Sequence, residues 1–418
     1  MHTNKPVDAP ETTNVLYLTY DGLTDALGQS QIMPYLTGLS EKGISITILS
    51  AEKPQLLESK KQEIEQHLYT YGINWIPTKY TKKPPLISTF RDLLKLKRTA
   101  FKLCSTNKFD IAHCRSYPTS VVGLKLKKKF GLKFIFDMRG FWADERIDGN
   151  IWKLSNPLHK LLYKYVKRQE KKFLIHSDHI VSLTNAGVSI IQTGMTQKLP
   201  DSKFSVIPCC ADLTHFNNTK NTKATRHKER HELQIPETAF VLTYLGSTGT
   251  WYMLDEMLHF FKILQQKFRN DACLLIITKD DQKTIHRQLP KHDIMSESVK
   301  TVSVNRWRLP EILTVSDAAI SFIKPAFSKK ASSPTKVAEL FGLGIPVFSN
   351  HHTGDIEQQY ETIPELLVKN FDANTYQKIL EHFFQNQKSL PQKVIDIANN
   401  YFSLTMGVEK YLKIYQKL

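Results

Sequence analysis

Residues 332–347 read SSPTKVAELFGLGIPV and carry the signals for a helix followed by a buried strand. Ser333 is a favourable N-cap residue, and Pro334 suits the first position of a helix. Gly342 and Gly344 end the helix, and an apolar run follows them. The segment therefore predicts one helix–strand unit of an α/β domain.

The start of this predicted helix has the chemistry of a phosphate site. The free N–H groups at the helix start, those of Ser333 and Thr335, and the helix dipole attract an anion, and Lys336 adds a positive charge. Glu339 lies on the same face, where a carboxylate can accept both hydroxyls of a ribose. On the pattern alone, an ordinary capped helix with a Lys–Glu surface pair stays open as the alternative.

Outward from this segment, the chain alternates short β-branched runs with longer helical ones, which is typical of parallel sheets covered by helices. The predicted strands lie at residues 15–20, 44–50, 109–114, 133–138, 179–184, 239–246, 272–278, 317–323 and 345–350. We therefore expect an α/β fold with two doubly wound, Rossmann-like parallel-sheet domains that face each other across a cleft.

The chain divides into five predicted parts. They are a flexible tail (1–13), a first domain (14–211), a polar inter-domain connection (212–236), a second domain (237–395), and a C-terminal helix (396–418) that packs back on the first domain. Ligands of such domains bind outside the carboxyl ends of the strands, so the loops there are the candidate sites.

Glycine-bearing turns follow the first predicted strand of each half. Gly28 would let a backbone approach a pyrophosphate, and Ser247 lies among small residues with free amides. Neither turn matches G-x-G-x-x-G or a Walker A motif, so dinucleotide binding and ATP cleavage are not supported. A plain surface turn is the open alternative for Gly28.

Residues 136–146, FDMRGFWADER, end a buried strand in a run of charged groups. Arg139 can hold a phosphate or a sugar acid with two hydrogen bonds, and Asp137 and Asp144 are the accompanying catalytic candidates. A salt-bridged loop is the alternative. His113, at the end of the preceding strand, is interpreted as a satisfied core residue.

The net charge of +17 is concentrated in one part of the chain. Residues 79–172 contain 24 Lys and Arg against 7 Asp and Glu, and the remainder is neutral. Such a field implies an anionic partner: a lipid surface, a phosphorylated substrate or a nucleic acid. No zinc-finger or RNP-type motif supports the nucleic acid.

Other totals indicate a cytoplasmic protein. No apolar run reaches the ~18 residues of a membrane-spanning helix, and the start of the chain has no secretory signal. The five cysteines are odd in number and form no C-x-x-C pair, which favours free thiols.

Together these segments resemble glycosyltransferase family 4, the retaining enzymes of the GT-B type. The resemblance follows the order of the family and covers residues 15–54, 109–148, 206–216 (VIPCCADLTHF), 244–252 (YLGSTGTWY) and 333–350. It implies an acceptor-binding first domain and a nucleotide-diphosphate sugar donor in the second. It also implies no cofactor and no required metal.

The resemblance assigns roles to several residues. Glu339 matches the ribose-binding glutamate of the family, and Lys336 with the amides of Ser333 to Thr335 matches its phosphate contacts. Gly28 matches the glycine loop that covers the donor phosphates.

Three departures from the family are present. Ala331 stands where the first glutamate of the E-x7-E pair is usual, and Arg139 stands where many members have histidine. The usual Arg and Lys are absent from the turn that contains Ser247. Lys324, Lys329 or Lys330 is the expected replacement for that charge.

The expected activity is transfer of a sugar, with retention, to a lipid-linked or oligosaccharide acceptor in cell-surface polysaccharide synthesis. The basic stretch predicts peripheral binding to the anionic inner face of the plasma membrane. For the helix predicted in residues 153–176 alone, a core-facing apolar side with a solvated basic back is the favoured interpretation. The alternatives are a sugar-nucleotide epimerase or hydrolase, a basic nucleic-acid-binding protein, and an inactive lectin-like module.

Overall fold

The computed structural model describes residues 12–81, 83–84, 87–220, 222–268 and 271–418. They form two α/β domains, each built on an all-parallel sheet, so the expected fold class is confirmed. All nine predicted strands are present. The predicted tail lies mostly outside the described residues, since only Thr12 and Thr13 precede the first strand.

The first domain has a seven-stranded sheet in the order β3-β2-β1-β4-β5-β6-β7. Its strands are β1 (Asn14–Thr19), β2 (Ser45–Glu52), β3 (Asn74–Lys79), β4 (Ile111–Arg115), β5 (Lys133–Asp137), β6 (His179–Ser182) and β7 (Phe204–Val206). Its helices are α1 (Ala26–Gln31), α2 (Met33–Glu41), α3 (Pro54–Thr70), α4 (Ile87–Thr106), α5 (Ser116–Phe130), α6 (Trp142–Asp148), α7 (Pro157–His176) and α8 (Asn185–Gly194).

The second domain has a six-stranded sheet in the order β10-β9-β8-β11-β12-β13. Its strands are β8 (Phe240–Leu245), β9 (Ala272–Ile277), β10 (Val299–Val302), β11 (Ala318–Ser321), β12 (Val347–Asn350) and β13 (Leu367–Val368). The remaining helices are α9 (Lys223–Glu232), α10 (Leu254–Phe268), α11 (Gln282–His286), α12 (Leu309–Leu313), α13 (Thr335–Gly342), α14 (Ile356–Gln359), α15 (Ala373–Asn386), α16 (Leu390–Ile397) and α17 (Leu404–Lys417).

Side chains on alternate residues of the strands build a core on each face of the first sheet. Val15 and Tyr17 of β1 enter the core under α2, α3 and α17, whereas Leu16 and Leu18 enter the core under α4, α5 and α7. This double burial explains why β1 reads as an unbroken apolar run rather than an alternating one.

In both sheets the strand order reverses between the first strand of the domain and the fourth strand along the chain. These reversals lie between β1 and β4 and between β8 and β11. A crevice forms at such a point, because the connections on either side of it leave in opposite directions. The loops after these four strands are therefore the positions at which ligands of this fold class bind.

The chain crosses between the domains at two adjacent points. Ala211 forms a parallel bridge with Ser403. The chain enters the second domain after Ala211 and leaves it at Ser403. Residues 398–402 form a π-helix whose Ala398 and Phe402 still pack in the core of the second domain. The return to the first domain thus begins at α17, a few residues later than position 396.

Candidate functional site

The turn after β8 and the start of α13 meet at the strand-order reversal of the second sheet. Gly246 has a positive φ of 133°, and a Cβ placed on it would lie 2.1 Å from Nζ of Lys336. Only glycine both adopts this conformation and leaves room for the lysine to reach the turn. The two segments therefore form one unit around the Lys336 ammonium.

The Lys336 ammonium is buried, and it has no hydrogen-bond acceptor within the described part of the chain. It lies 3.6 Å from the ring centroid of Tyr252 and 5.1 Å from that of Tyr244. Burial lowers the pKa of Lys336 to about 7, although Glu339 and Asp280 oppose the shift. A buried cation without an acceptor is costly, so this position suits a bound anion.

Glu339 lies one turn further along α13 and is only 4% exposed. Its Oε1 accepts a hydrogen bond from the guanidinium of Arg306, which stacks on Phe216 at 5.0 Å. Burial raises the pKa of Glu339, and the charges of Arg306 and Lys336 oppose that rise. The carboxylate is thus fixed in place beside the candidate anion site.

Residues 246–250 are held by their neighbours rather than left free. The amide and hydroxyl of Thr248 donate to Oδ2 of Asp280 at 2.6 and 3.1 Å, and the Thr248 N–H lowers the pKa of that carboxyl. The Tyr244 hydroxyl donates to the carbonyl of Ser247, whose own side chain is exposed. Ser247 therefore lies at the open edge of an ordered turn.

Ser333 does not cap the helix, so that prediction is wrong. Helix α13 begins at Thr335 with Pro334 at the N-cap position, and no side chain caps it. The Ser333 hydroxyl instead accepts the N–H of Cys209 at 3.1 Å. Because Cys209 follows the last strand of the first domain, this bond attaches the candidate donor helix to the domain junction.

On the first domain, Asp137 ends β5 and Arg139 follows it in a strained turn. Arg139 has φ +53° and Gly140 has φ +107°, a region that non-glycine residues seldom occupy. Nη1 of Arg139 lies 3.9 Å from Oδ1 of Asp137, and Nη2 of Arg139 donates to Sγ of Cys209 at 3.3 Å. Strain of this kind is concentrated at functional sites.

Further groups surround the Asp137 carboxylate. The Tyr411 hydroxyl of α17 donates to Oδ2 at 3.1 Å, and Nε2 of His113 lies 3.5 Å away. Burial disfavours the charge on Asp137, but Arg139, His113 and Arg115 together hold its pKa below the usual value. A cavity of about 10 Å³ beside these groups has room for about one water molecule.

Asp144 is not brought together with Arg139. Its two oxygens accept the Tyr163 hydroxyl at 2.7 Å and Nζ of Lys167 at 2.9 Å, both from α7. The carboxylate thereby connects α6 to α7. For Asp144 the structure favours the salt-bridged alternative.

Gly28 has a packing role in the structure. A Cβ on Gly28 would lie 2.2 Å from the carbonyl oxygen of Gly22 and 2.5 Å from Cα of Leu23. Any larger residue would push α1 away from the loop that precedes it. The residues that leave no room for a side chain on Gly28 thus lie in the loop just before it. The contact of Gly28 with donor phosphates stays a prediction.

The three candidate replacement lysines occupy different environments. Lys324 and Lys330 are exposed, whereas Lys329 is buried and its Nζ lies 2.6 Å from Oε1 of Glu145 and 3.7 Å from the ring centroid of Trp251. Lys329 therefore joins the second domain to α6 of the first. The Lys324 side chain has no hydrogen-bond or ion-pair partner in the described ranges, and its backbone N–H donates to the Trp251 carbonyl.

Ala331 lies between the two domains and is 2% exposed. A Cβ on Gly140 would approach its carbonyl oxygen to 3.2 Å, and a Cβ on Gly187 would approach its Cβ to the same distance. A larger side chain at this position would have to fit into a buried contact with Gly140 and Gly187. The departure from E-x7-E is thus accompanied by close packing of the domains.

We expect Ala331→Glu to separate the domains, because it buries a charge and adds volume to a filled contact. The expected loss is about 1–3 kcal/mol of unfolding free energy from overpacking alone. Urea denaturation measures the stability, and small-angle scattering measures the expansion. Ala331→Ser is the matched control. An Ala331→Glu variant with unchanged stability and compactness would contradict the packing argument.

Several residues of the site were not singled out as functional from the sequence. Tyr244, Tyr252 and Arg306 surround the second-domain groups, and Arg115 and Tyr411 surround Asp137. Arg115 ends the strand next to β5 in register with Asp137, which the adjacent charged strand ends could have indicated. No sequence signal connects Arg306 or Tyr411 to the site.

Within the described ranges, no group of three or more His, Cys, Asp or Glu side chains is placed to hold a metal ion. A search of the same residues finds no helix with the length and apolar character to cross a bilayer.

The two parallel-sheet domains, with charged groups at facing strand ends, define a GT-B fold, and solved structures agree. Sucrose-phosphate synthase from Thermosynechococcus elongatus superposes with a TM-score of 0.70 at 12% identity, over 97% of this chain and 98% of that one. Anabaena HepE, solved with UDP and glucose, gives 0.69 at 12% identity, over 97% and 100%. WaaG, a glycosyltransferase involved in lipopolysaccharide biosynthesis, gives 0.66 at 13% identity, over 96% and 99%. At these identities the likeness shows the fold.

A family model matches part of the sequence. Residues 34–215 match the model of Glycosyltransferase Family 4, which confirms the resemblance. No curated protein matches the chain. Family and fold together support a glycosyltransferase of the GT-B fold.

Proposed function

We propose that this protein transfers a sugar, with retention, from a nucleotide-diphosphate donor to a lipid-linked or polysaccharide acceptor. The proposed setting is cell-surface polysaccharide synthesis at the inner face of the plasma membrane. The donor is the only co-substrate in this proposal, without a cofactor or a required metal.

One observation carries the donor site. The Lys336 ammonium is buried without an acceptor among the described residues, is directed at the Gly246 turn, and lies one helical turn from the buried Glu339 carboxylate. A diphosphate would supply the missing anion, and a ribose would supply hydroxyls to Glu339. The structures of HepE with UDP and with UDP-glucose support this assignment by analogy of fold.

The proposed reaction places little demand on protein bases. The acceptor oxygen bonds to the anomeric carbon on the face that the diphosphate leaves, and the acceptor proton passes to a diphosphate oxygen. The site then needs groups that stabilise the charge on the leaving diphosphate, which are Lys336 and the N-terminus of α13. In this proposal Arg139 faces the reacting centre from the first domain, and closure excludes water.

The acceptor side of the proposal rests on charge. Helices α4 and α5 and most of α7 fall within residues 79–172, where the excess of Lys and Arg is located. The three helices pack in that order along one face of the first sheet. An acceptor carried on a lipid phosphate benefits from such a field, whereas a small soluble donor does not need it. The involvement of WaaG in lipopolysaccharide biosynthesis is a supporting analogy.

Glu339→Gln tests the donor site without changing its shape. It removes the charge that would hold the ribose hydroxyls, and such a charge-assisted bond contributes about 1.5–3 kcal/mol. We expect binding of UDP or GDP to weaken by about 10- to 150-fold in isothermal titration. Glu381→Gln, on the exposed surface of α15, is the matched control. Unchanged nucleotide affinity in Glu339→Gln would remove this residue from the site.

A screen of nucleotide sugars tests the activity itself. Thermal shift identifies the donors, because a ligand that binds only the folded state raises the unfolding temperature. Incubation with that donor and a lipid-phosphate acceptor, followed by NMR of the new linkage, then reports transfer and anomeric configuration. Donor consumption without a glycosylated product would favour the hydrolase alternative, and an inverted linkage would contradict retention.

A further inference from the structure

Helix α7 exposes an apolar stripe on the first domain. Leu158, Leu161 and Tyr165 are 53%, 62% and 51% exposed, and Leu154 just before the helix is 46% exposed. Their spacing of three and four residues places them on one side of the helix. Phe173, further along the helix, packs in the domain core. The core-facing interpretation is therefore wrong for this stripe, although Leu162 and Val166 of the predicted apolar face are partly buried.

Cations border the stripe. Helix α7 contains six Lys and Arg and one Glu. Lys160, Lys164 and Arg168 are exposed, and no carboxylate of the described residues lies within ion-pair distance of them. Exposed leucines beside free cations form a surface with two complementary affinities, one for acyl chains and one for anionic head groups.

We propose that this stripe inserts into an anionic bilayer and is the membrane-docking element of the protein, an inference that rests on the proposed function. A second copy is disfavoured as the occupant, because a two-fold contact would bring two rows of cations together. Nucleic acid would satisfy the cations but would leave the leucines exposed to water. An anionic bilayer satisfies both.

The position of α7 connects this docking surface to the cleft between the domains. Tyr163 and Lys167, on the inner side of α7, hold Asp144 of α6. On the same short helix, Glu145 pairs with Lys329 and Asp148 accepts the N–H of Ser328, both in the second domain. A bilayer on α7 is thus one helix away from the domain interface, where a lipid-borne acceptor has to enter.

Vesicle co-sedimentation of the full-length protein tests the inference. The double variant Leu158→Ser/Leu161→Ser should bind phosphatidylglycerol-containing vesicles about 100-fold more weakly, since each leucine loses its burial in acyl chains. Lys160→Gln/Lys164→Gln should bind about 10- to 30-fold more weakly at low salt and equal the wild type at high salt. Tyr69→Ser/Met295→Ser, which removes two exposed apolar residues outside α7, should leave binding unchanged.

The outcomes separate this inference from the proposed function. Unchanged vesicle binding in the leucine variant overturns the docking role. If light scattering shows a concentration-dependent dimer that the same variant abolishes, a second copy is the occupant instead. UDP titration of each variant reports the donor site independently, and we expect it to be unaffected. Vesicle binding by α7 without any sugar transfer would reject the proposed function alone.

Discussion

Replacing Lys336 with methionine should weaken the binding of UDP or GDP by about 10- to 150-fold while leaving nucleoside binding nearly unchanged. The reason is the buried ammonium, which has no acceptor in the described residues and therefore gains one only from the ligand. Methionine keeps the apolar stem against Tyr244 and Tyr252 and removes only the charge. Isothermal titration with UDP and uridine measures the difference.

The pH dependence of binding gives this prediction a second, independent readout. Lys336 has a pKa of about 7 in the free protein, so above that pH the lysine must take up a proton when it receives an anion. Between pH 7 and 9, where the diphosphate itself stays ionised, UDP affinity should fall by up to about 50-fold. Titration in buffers of different ionisation enthalpy detects the proton uptake.

Stability of the ligand-free protein should change in the opposite direction. An unfolded lysine has a pKa of about 10.4, so the unfolded chain binds more protons than the folded one between pH 7 and 10.4. The penalty of burying the ammonium is full below pH 7 and is relieved as the pH rises. Lys336→Met should show neither trend. If UDP affinity and stability depended on pH in the same way in the wild type and in this variant, the assignment would be contradicted.

Arg139→Lys should lower kcat by about 100-fold with a much smaller change in donor affinity, because an ammonium cannot reproduce the fork of a guanidinium. The Arg139 side chain is 9% exposed, and Asp137 beside it is 1% exposed. In Arg139→Ala the carboxylate keeps His113, Arg115 and Tyr411 but loses its strongest ionic neighbour. Removing one partner of a buried pair costs about 3–5 kcal/mol, so this variant should also be less stable.

Single-turnover kinetics on a stable preparation separates these two effects. Arg146→Lys is the matched control, since its guanidinium lies on the ring of Trp142 at 4.5 Å and not on Asp137. Normal turnover in Arg139→Ala, measured on the folded fraction, would place the strained turn outside the reaction centre. Lost stability with normal turnover in both variants would assign Arg139 a purely structural role.

The strands that the sequence predicted are the central ones, and the four that it missed are the edges. β3, β7, β10 and β13 lie at the ends of the two sheets. Central parallel strands are buried on both faces and read as apolar runs, whereas an edge strand such as NWIPTK of β3 mixes polar residues and even includes Pro77. The apolar runs that predicted the central strands therefore reflect burial rather than strand propensity.

The candidate site was predictable where its residues are close in sequence. Lys336 and Glu339 share one helix, so their common face follows from helical spacing. Their partners come from elsewhere, as Arg306 is 33 residues before Glu339, and Tyr411 is 274 residues after Asp137. Such pairs depend on the packing of whole elements, which spacing along the chain does not encode.

Asp144 illustrates the opposite case, in which nearness in sequence was misleading. It follows Arg139 by five residues, but α6 begins between them and turns its carboxylate toward α7. A shift of one or two residues in the position where a helix begins changes the direction in which a charged side chain points. The sequence located the charged segment, and only the three-dimensional structure divided it into separate roles.

Helix α17 has a consequence for how the protein is made. Val408, Tyr411, Ile414 and Tyr415 complete the core beneath the first sheet, and Tyr415 also bonds His113 at 2.6 Å. The first domain therefore cannot close its core until residues 404–417 have left the ribosome, long after its own seven strands have been synthesised. During that interval α2 and α3 already cover part of this face of the sheet, and the part of the core that α17 covers stays exposed to water.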